Sequence, residues 1–285
     1  MERFRFQAKL FPTDPDCQPM SEKKIQRVTA PRLVRMKQNG ERITMLTAYD
    51  FGMATLLDES GVDVLLVGDS LAMVVQGAEN TLPVTLDEMI YHGRLVARAA
   101  KRAMVVVDLP FPENHLGAQH AVASAARVIK ESGAHGVKLE GGADQAEVIS
   151  AIVAAGIPVM AHVGLRPQSV HVMGGYKVER DGARVLRDAL AAQEAGAFSV
   201  VLECVPRDDA EKVSRELKIP TFGIGAGNGC DGQVLVIHDL LGMTSGYVPS
   251  FVQQYAQLGD TIRESVTRWC TDVRSGKFPD KEHSF

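Results

Sequence analysis

Eight short apolar runs follow one another along the chain, most of them rich in β-branched residues, at 43–48, 62–68, 103–109, 136–139, 157–163, 199–205, 219–224 and 233–237. Each has the length of a strand. Their residues are apolar at consecutive rather than alternate positions, so both faces of the sheet they form must be covered. Stretches with Ala, Leu, Glu and Arg at helical spacing lie between most of them, plainest over 86–102, 118–131, 143–155, 183–195 and 208–217. Strand and helix in alternation make a parallel sheet wrapped by helices. Residues 31–38 read as a helix before the first strand, and 252–275 as a terminal helix or pair.

The joints between these pieces repeat. Glu59-Ser-Gly61, Glu131-Ser-Gly133 and Glu194-Ala-Gly196 each read as a helix end, then a glycine able to turn left-handed, then a strand. Gly156-Ile-Pro158 and Lys218-Ile-Pro220 open two further strands where proline costs no ladder bond. Eight such units favour a single (β/α)8 TIM barrel over an open doubly wound sheet. No GxGxxG follows the first run, which lowers the dinucleotide-fold reading further. The 285 residues then divide into a loose extension over 1–27 and one catalytic barrel over 28–285.

Composition narrows the class of partner. Lys and Arg number 31 against 35 Asp and Glu, a net charge of −4 that argues against nucleic acid. No run approaches the ~18 apolar residues of a membrane span. Cys17, Cys204, Cys230 and Cys270 are far apart with no CxxC pair, the usage of reduced thiols in a cytoplasmic protein. The first residues mix both charges without an apolar stretch, unlike a secretory signal.

In such barrels chemistry sits at the C-terminal ends of the strands. There the chain places Gly68-Asp69-Ser70, Asp108-Leu-Pro110, Lys138-Leu-Glu140, His162-Val-Gly164 and Glu203-Cys204. Each has a plain structural reading: Asp69-Ser70 as an N-cap pair, Asp108 as a turn cap, Lys138 with Glu140 as a buried ion pair, His162 as a core histidine. Glu203 is the hardest to explain that way. Together, four carboxylates at strand ends face Lys138 and His162, and a hard divalent cation relieves that imbalance. Oxygen donors without clustered Cys or His favour Mg2+, with Asp69 and Asp108 as direct ligands and Glu140 binding directly or through water. A cation with open positions chelates a 2-oxo acid and stabilises its enolate. Glu203 is then the base beside it, Lys138 meets the substrate carboxylate or enolate, and Ser70 orients the substrate.

These residues lie in phrases that resemble one family. Thr47-Ala-Tyr-Asp50, Val67-Gly-Asp-Ser70, Thr81-Leu-Pro-Val-Thr85, Asp108-Leu-Pro-Phe111, Val137-Lys-Leu-Glu-Gly141, His162-Val-Gly-Leu165, Pro167-Gln-Ser169, Gly174-Gly-Tyr-Lys177 and Val201-Leu-Glu-Cys-Val-Pro206 are similar to ketopantoate hydroxymethyltransferase, as are Gly223-Ile-Gly-Ala-Gly227 and Glu282-His-Ser-Phe285. The resemblance runs in one order from about Val28 to Phe285. It implies transfer of a hydroxymethyl group from 5,10-methylenetetrahydrofolate to 3-methyl-2-oxobutanoate, giving 2-dehydropantoate for pantothenate and coenzyme A. It implies Mg2+ at Asp69, Asp108 and Glu140, substrate contacts from Asp69, Ser70, Asp108, Lys138 and His162, and Glu203 as proton acceptor. It also implies a cytosolic homo-oligomer, commonly a decamer. The chain departs from the family pattern at Pro112-Glu-Asn-His115-Leu-Gly117, where a small-residue and tyrosine stretch is usual, and in the extension before Val28.

Two loops carry further expectations. Residues 164–182 read as a segment closing over the site, and the glycines of 223–227 as permitting close approach of ligand or neighbouring chain. Two rival readings stand beside the transferase. One is a Mg2+-dependent lyase or mutase acting on another 2-oxo acid; the other is a metabolite sensor that has lost turnover.

Overall fold

The structure is a computed structural model that describes residues 26–244 and 246–285, so the extension expected over 1–27 lies outside the described residues up to 25. In chain order the elements are α1 (Ala30–Gln38), β1 (Ile43–Thr47), α2 (Phe51–Glu59), β2 (Val64–Val67), α3 (Leu71–Val74), α4 (Leu86–Ala99), β3 (Met104–Asp108), α5 (Ala118–Ser132), β4 (Gly136–Glu140), α6 (Ala146–Ala154), β5 (Val159–Gly164), α7 (Val170–Met173), α8 (Gly182–Glu194), β6 (Ser199–Glu203), α9 (Arg207–Glu216), β7 (Thr221–Ile224), β8 (Gly232–Leu235), α10 (Ile237–Leu240) and α11 (Leu258–Arg274). The eight strands close into a barrel in sequence order. Every pairing is parallel. The shortest ladder joins β7 to β8 through Phe222 with Gly232 and Gly223 with Gln233.

The closed ring explains the continuous apolar runs. One set of strand side chains fills the barrel and the other packs under the helices, so neither set is polar. The interior cluster holds Met45, Val64, Leu66, Met104, Val106, Met160, Val201 and Phe222, and α1 caps its lower end with Leu33 and Met36. The outer cluster packs Leu65, Val105, Val107, Leu139 and Val163 against Met89, Val128, Ile149 and Ala189 of the helices. Each large apolar side chain among them contributes roughly 1.5–3 kcal/mol by leaving water. Arg27 donates to the Ala100 carbonyl at 3.0 Å and so fastens the start of the described chain to the lower end of the barrel.

The helix-to-strand glycines behave as their repeats suggest: Gly61, Gly133 and Gly196 hold φ of 86°, 78° and 98°. Element ends differ from expectation for local reasons. Helix α4 starts in a capping box, with Thr85 accepting from Glu88 N–H and the Glu88 side chain accepting in return. It stops at Ala99, short of the expected 102, because Lys101, Arg102 and Ala103 N–H groups donate to the buried Asp58 carboxylate. The stretch 143–155 breaks into a 3-10 turn at Ala143–Gln145 followed by α6. The terminal segment is one helix, α11.

Candidate active site

The upper rim of the barrel brings the strand-end residues together through register. Asp108 pairs with Lys138 across β3 and β4, Glu140 with His162 across β4 and β5, and Gly164 with Glu203 across β5 and β6. Lys138 and Glu140 are two apart on one strand and share a side. From these pairings a row of contacts follows. Lys138 Nζ lies 3.2 Å from Asp108 Oδ2 and 3.2 Å from His162 Nδ1. His162 Nε2 lies 3.1 Å from Glu203 Oε2. The ring is in contact with that carboxylate without the angle of a full hydrogen bond. An ammonium can only donate, so Nδ1 accepts and the ring proton sits on Nε2, towards Glu203.

Asp69 and Ser70 follow β2. The Asp69 N–H donates to Asp108 Oδ2 at 3.0 Å, so Asp108 holds the neighbouring turn in place. Ser70 begins α3 without capping it. Its Oγ lies instead 2.9 Å from the Tyr49 hydroxyl just past the end of β1. The plain ion-pair reading of Lys138 with Glu140 also gives way, since the lysine pairs with Asp108.

Burial sets the electrostatics. Asp69, Asp108, Lys138, Glu140 and His162 are all buried. Burial pushes the Asp108 carboxyl up to about 7, with Lys138 pulling it down and Asp69 raising it. Glu140 is raised well above the ordinary carboxylate range, by burial and then by Asp69. Burial opposes the Lys138 charge, but Asp108, Asp69 and Glu140 outweigh it and raise the pKa above that of a free lysine. His162 is pushed down, by burial and then by Lys138. Asp108 Oδ1 and Glu140 Oε1 are buried with no hydrogen-bond partner among the described residues. Leaving such oxygens unmet costs about 1–3 kcal/mol each, more when charged.

A hard dication fits this donor set: the unmet atoms are carboxylate oxygens, and the buried ammonium of Lys138 is already shared with a histidine. Among the described residues no three His, Cys, Asp or Glu side chains are gathered closely enough to hold a metal ion between them. The expected trio is instead tied together indirectly, through Asp69 N–H to Asp108 and through Gln168 to both Asp69 and Glu140.

A family model described as ketopantoate hydroxymethyltransferase matches residues 27–281. The chain belongs to that family. A relative from Rhodopirellula baltica, named 3-methyl-2-oxobutanoate hydroxymethyltransferase, is 58% identical over 265 residues, covering 93% of this chain and 98% of its own. A relative of the same name from Desulforapulum autotrophicum is 55% identical, covering 91% and 98%. Among solved structures, a 2,3-dimethylmalate lyase of the PEP mutase/isocitrate lyase superfamily aligns with TM-score 0.59 at 19% identity, covering 90% and 91%. A phosphoenolpyruvate phosphomutase from Streptomyces platensis aligns with TM-score 0.60 at 16% identity, covering 87% and 88%. At those identities the solved structures speak for the barrel alone.

Within this ketopantoate hydroxymethyltransferase family member, several residues stand at the site for which strand-end reading has no signal. Gln168 and Tyr49 lie in the family-like phrases Pro167-Gln-Ser169 and Thr47-Ala-Tyr-Asp50, but neither carries a charge that demands an explanation. Tyr176, from the segment after β5, reaches Met73 Sδ on α3 at 4.0 Å. Burial, then the charges of Asp69, Glu203 and Glu140, raise its pKa. That segment therefore crosses the rim beside the carboxylates. The departure at 112–117 is stitched into the same rim: Asn114 Nδ2 donates to the Glu140 carbonyl at 3.1 Å, and Glu113 accepts from His120 and Ser124. The glycines of 223–227 make room for side chains, Gly225 for the Phe251 ring and Gly227 for Arg207.

Proposed function

We propose that the chain transfers a hydroxymethyl group from 5,10-methylenetetrahydrofolate to 3-methyl-2-oxobutanoate, giving 2-dehydropantoate in the pathway to pantothenate. The observation that carries this reading is the row Asp108, Lys138, His162, Glu203 across four adjacent strands, with unmet carboxylate oxygens at its head. Asp69, Asp108 and Glu140 would hold Mg2+, which when bound polarises the 2-oxo group and offsets the buried negative charge. Lys138 and Ser70 hold the substrate's carboxylate and oxo oxygens, with His162 beside them. Glu203 takes the proton from the carbon next to the ketone. Water adds to the folate's methylene carbon and both its C–N bonds break, releasing tetrahydrofolate; the enolate carbon bonds to the freed one-carbon unit, and its oxygen takes the proton from Glu203 to become the hydroxyl. The segment bearing Tyr176 keeps other water from the enolate.

On the same reading, 28–285 are one catalytic domain of a cytoplasmic homo-oligomer, a decamer. Helix α11 supports assembly: none of its residues is buried, and Ile262, Val266, Trp269 and Val273 line it at helical spacing, each at least 42% exposed. Cys204, Cys230 and Cys270 are free thiols, in keeping with a reducing compartment. Among the described residues no helix is long and apolar enough to cross a membrane. The test is an assay of 2-dehydropantoate with Mg2+ and methylenetetrahydrofolate present or omitted in turn. Product in the complete mixture alone is expected, and its absence there would move the chain to the lyase or mutase reading.

A further inference from the structure

Gln168 is a neutral residue among charged ones, and its bonds run to three strand ends. Its backbone N–H donates to Glu140 Oε2 at 3.0 Å. Its side-chain Nε2 donates to Asp69 Oδ2 at 2.8 Å and to the Leu109 carbonyl at 3.1 Å. Those acceptors sit just past β2, just past β3 and on the last residue of β4. The side chain is buried, with the residue 6% exposed. The orientation of the amide is dictated by its neighbours, since a carboxylate and a carbonyl can only accept and only the NH2 end satisfies both. The carbonyl end, Oε1, has no hydrogen-bond partner among the described residues.

The choice of residue has a chemical consequence. A cation at this position would fix Asp69 equally well but would neutralise it. An acid would repel it. An amide donates two hydrogen bonds and leaves the carboxylate charge intact for a ligand. Gln168 also belongs to the segment that carries Tyr176 over the rim, so the same bonds anchor that segment to the carboxylates.

We propose that Gln168 is a positioning residue: its amide and its backbone N–H hold Asp69 and Glu140 in place to receive a divalent cation. The inference rests on the carboxylate site proposed for Mg2+. Gln168→Met keeps the side chain's length and removes both side-chain donors without adding charge; Gln168→Leu removes them in a shorter apolar side chain. Mg2+ binding is read by calorimetry on the whole chain without substrate, beside its metal-free melting temperature. Expected is a loss of Mg2+ affinity of about 10–100-fold in Gln168→Met and in Gln168→Leu. The KM for the 2-oxo acid rises with it, while the KM for methylenetetrahydrofolate stays within about twofold, a split that general loosening of the fold does not produce.

Wild-type Mg2+ affinity in Gln168→Met overturns the proposal, and if that variant does not fold, Gln168→Leu decides on the same criterion. Asp108→Asn in the same assay separates the two failures. If Asp108→Asn loses Mg2+ and Gln168→Met does not, the carboxylate site stands and the role of Gln168 falls. If both bind as wild type, the site reading falls and this inference with it.

Discussion

Gly164 lies so close to Glu203 that a methyl group on its Cα would stand 2.3 Å from the Glu203 carbonyl oxygen. The same oxygen accepts from Leu165 N–H at 2.9 Å, so the approach of β5 to β6 is fixed from both sides. Gly164 holds φ of 95°, and Cys204, directly after Glu203, holds φ of 49°, a left-handed conformation that residues with a side chain rarely adopt. A non-glycine there costs on the order of 1–3 kcal/mol. The backbone on both sides of the proposed base is thus closely determined. Gly164→Ala is expected to lower the melting temperature by about 5 °C, from the clash and the positive φ together, and to lower kcat through displaced Glu203. Thermal unfolding and steady-state kinetics on the same preparation check it.

Glu203→Gln removes the proposed base and keeps its shape. Deuterium exchange at the carbon next to the ketone of 3-methyl-2-oxobutanoate, followed without folate, is expected to slow by about 100–10,000-fold. Exchange at the wild-type rate would remove Glu203 from that role.

The Tyr49 hydroxyl, buried and raised in pKa chiefly by that burial, meets Ser70. Tyr49→Phe deletes one hydrogen bond at no cost in volume. If Ser70 orients the substrate, KM for the 2-oxo acid should rise about 3–10-fold with a smaller change in kcat. Equal KM values would show that Ser70 needs no such support.

His135, at the lower end of the barrel, predicts a pH dependence of stability. Burial, then the Arg27 charge, push it from the ordinary 6.5 down to about 4. Its Nδ1 accepts from Val105 N–H at 2.9 Å, a bond that a proton on that nitrogen would break. The unfolded chain therefore binds a proton first as pH falls. The stability from this group is full above about 6.5 and is lost towards about 4. Melting curves should fall by several degrees across that window, and His135→Asn, which retains an acceptor, should flatten the fall.

On α11, Trp269→Asp places a charge on the exposed apolar stripe. A smaller assembly by light scattering, with the circular dichroism spectrum unchanged, is the expected outcome. An unchanged mass would put the subunit contact elsewhere.

What could be read from the chain depended on whether burial left a mark on residue type. The strands were legible because a closed barrel buries both faces: Val64–Val67 contains nothing polar, and Met104–Asp108 nothing polar before its last residue. Helix α2 was legible only at its end, in Glu59-Ser-Gly61, because Phe51 and Leu56 face solvent while Ala54, Leu57 and Asp58 are the buried set, which blurs the helical stripe. Asp69, Asp108, Lys138, Glu140 and His162 were legible as charges at the ends of apolar strands. Gln168 was not: a glutamine in a loop raises no electrostatic question until its neighbours are known. The indirect ties among the carboxylates were equally hidden, since backbone donors such as Asp69 N–H have no signature in sequence.

The short ladder between β7 and β8 bears on how the barrel breathes. Only Phe222 with Gly232 and Gly223 with Gln233 close that seam, whereas β5 and β6 are paired from Met160 to Gly164. Native-state hydrogen exchange should therefore find β8 amides losing protection before those of β3 to β5. The shortest ladder of the ring thus falls on strands that carry none of the proposed cation ligands. An opening confined to this seam would leave Asp69, Asp108 and Glu140, on or just past β2 to β4, in place.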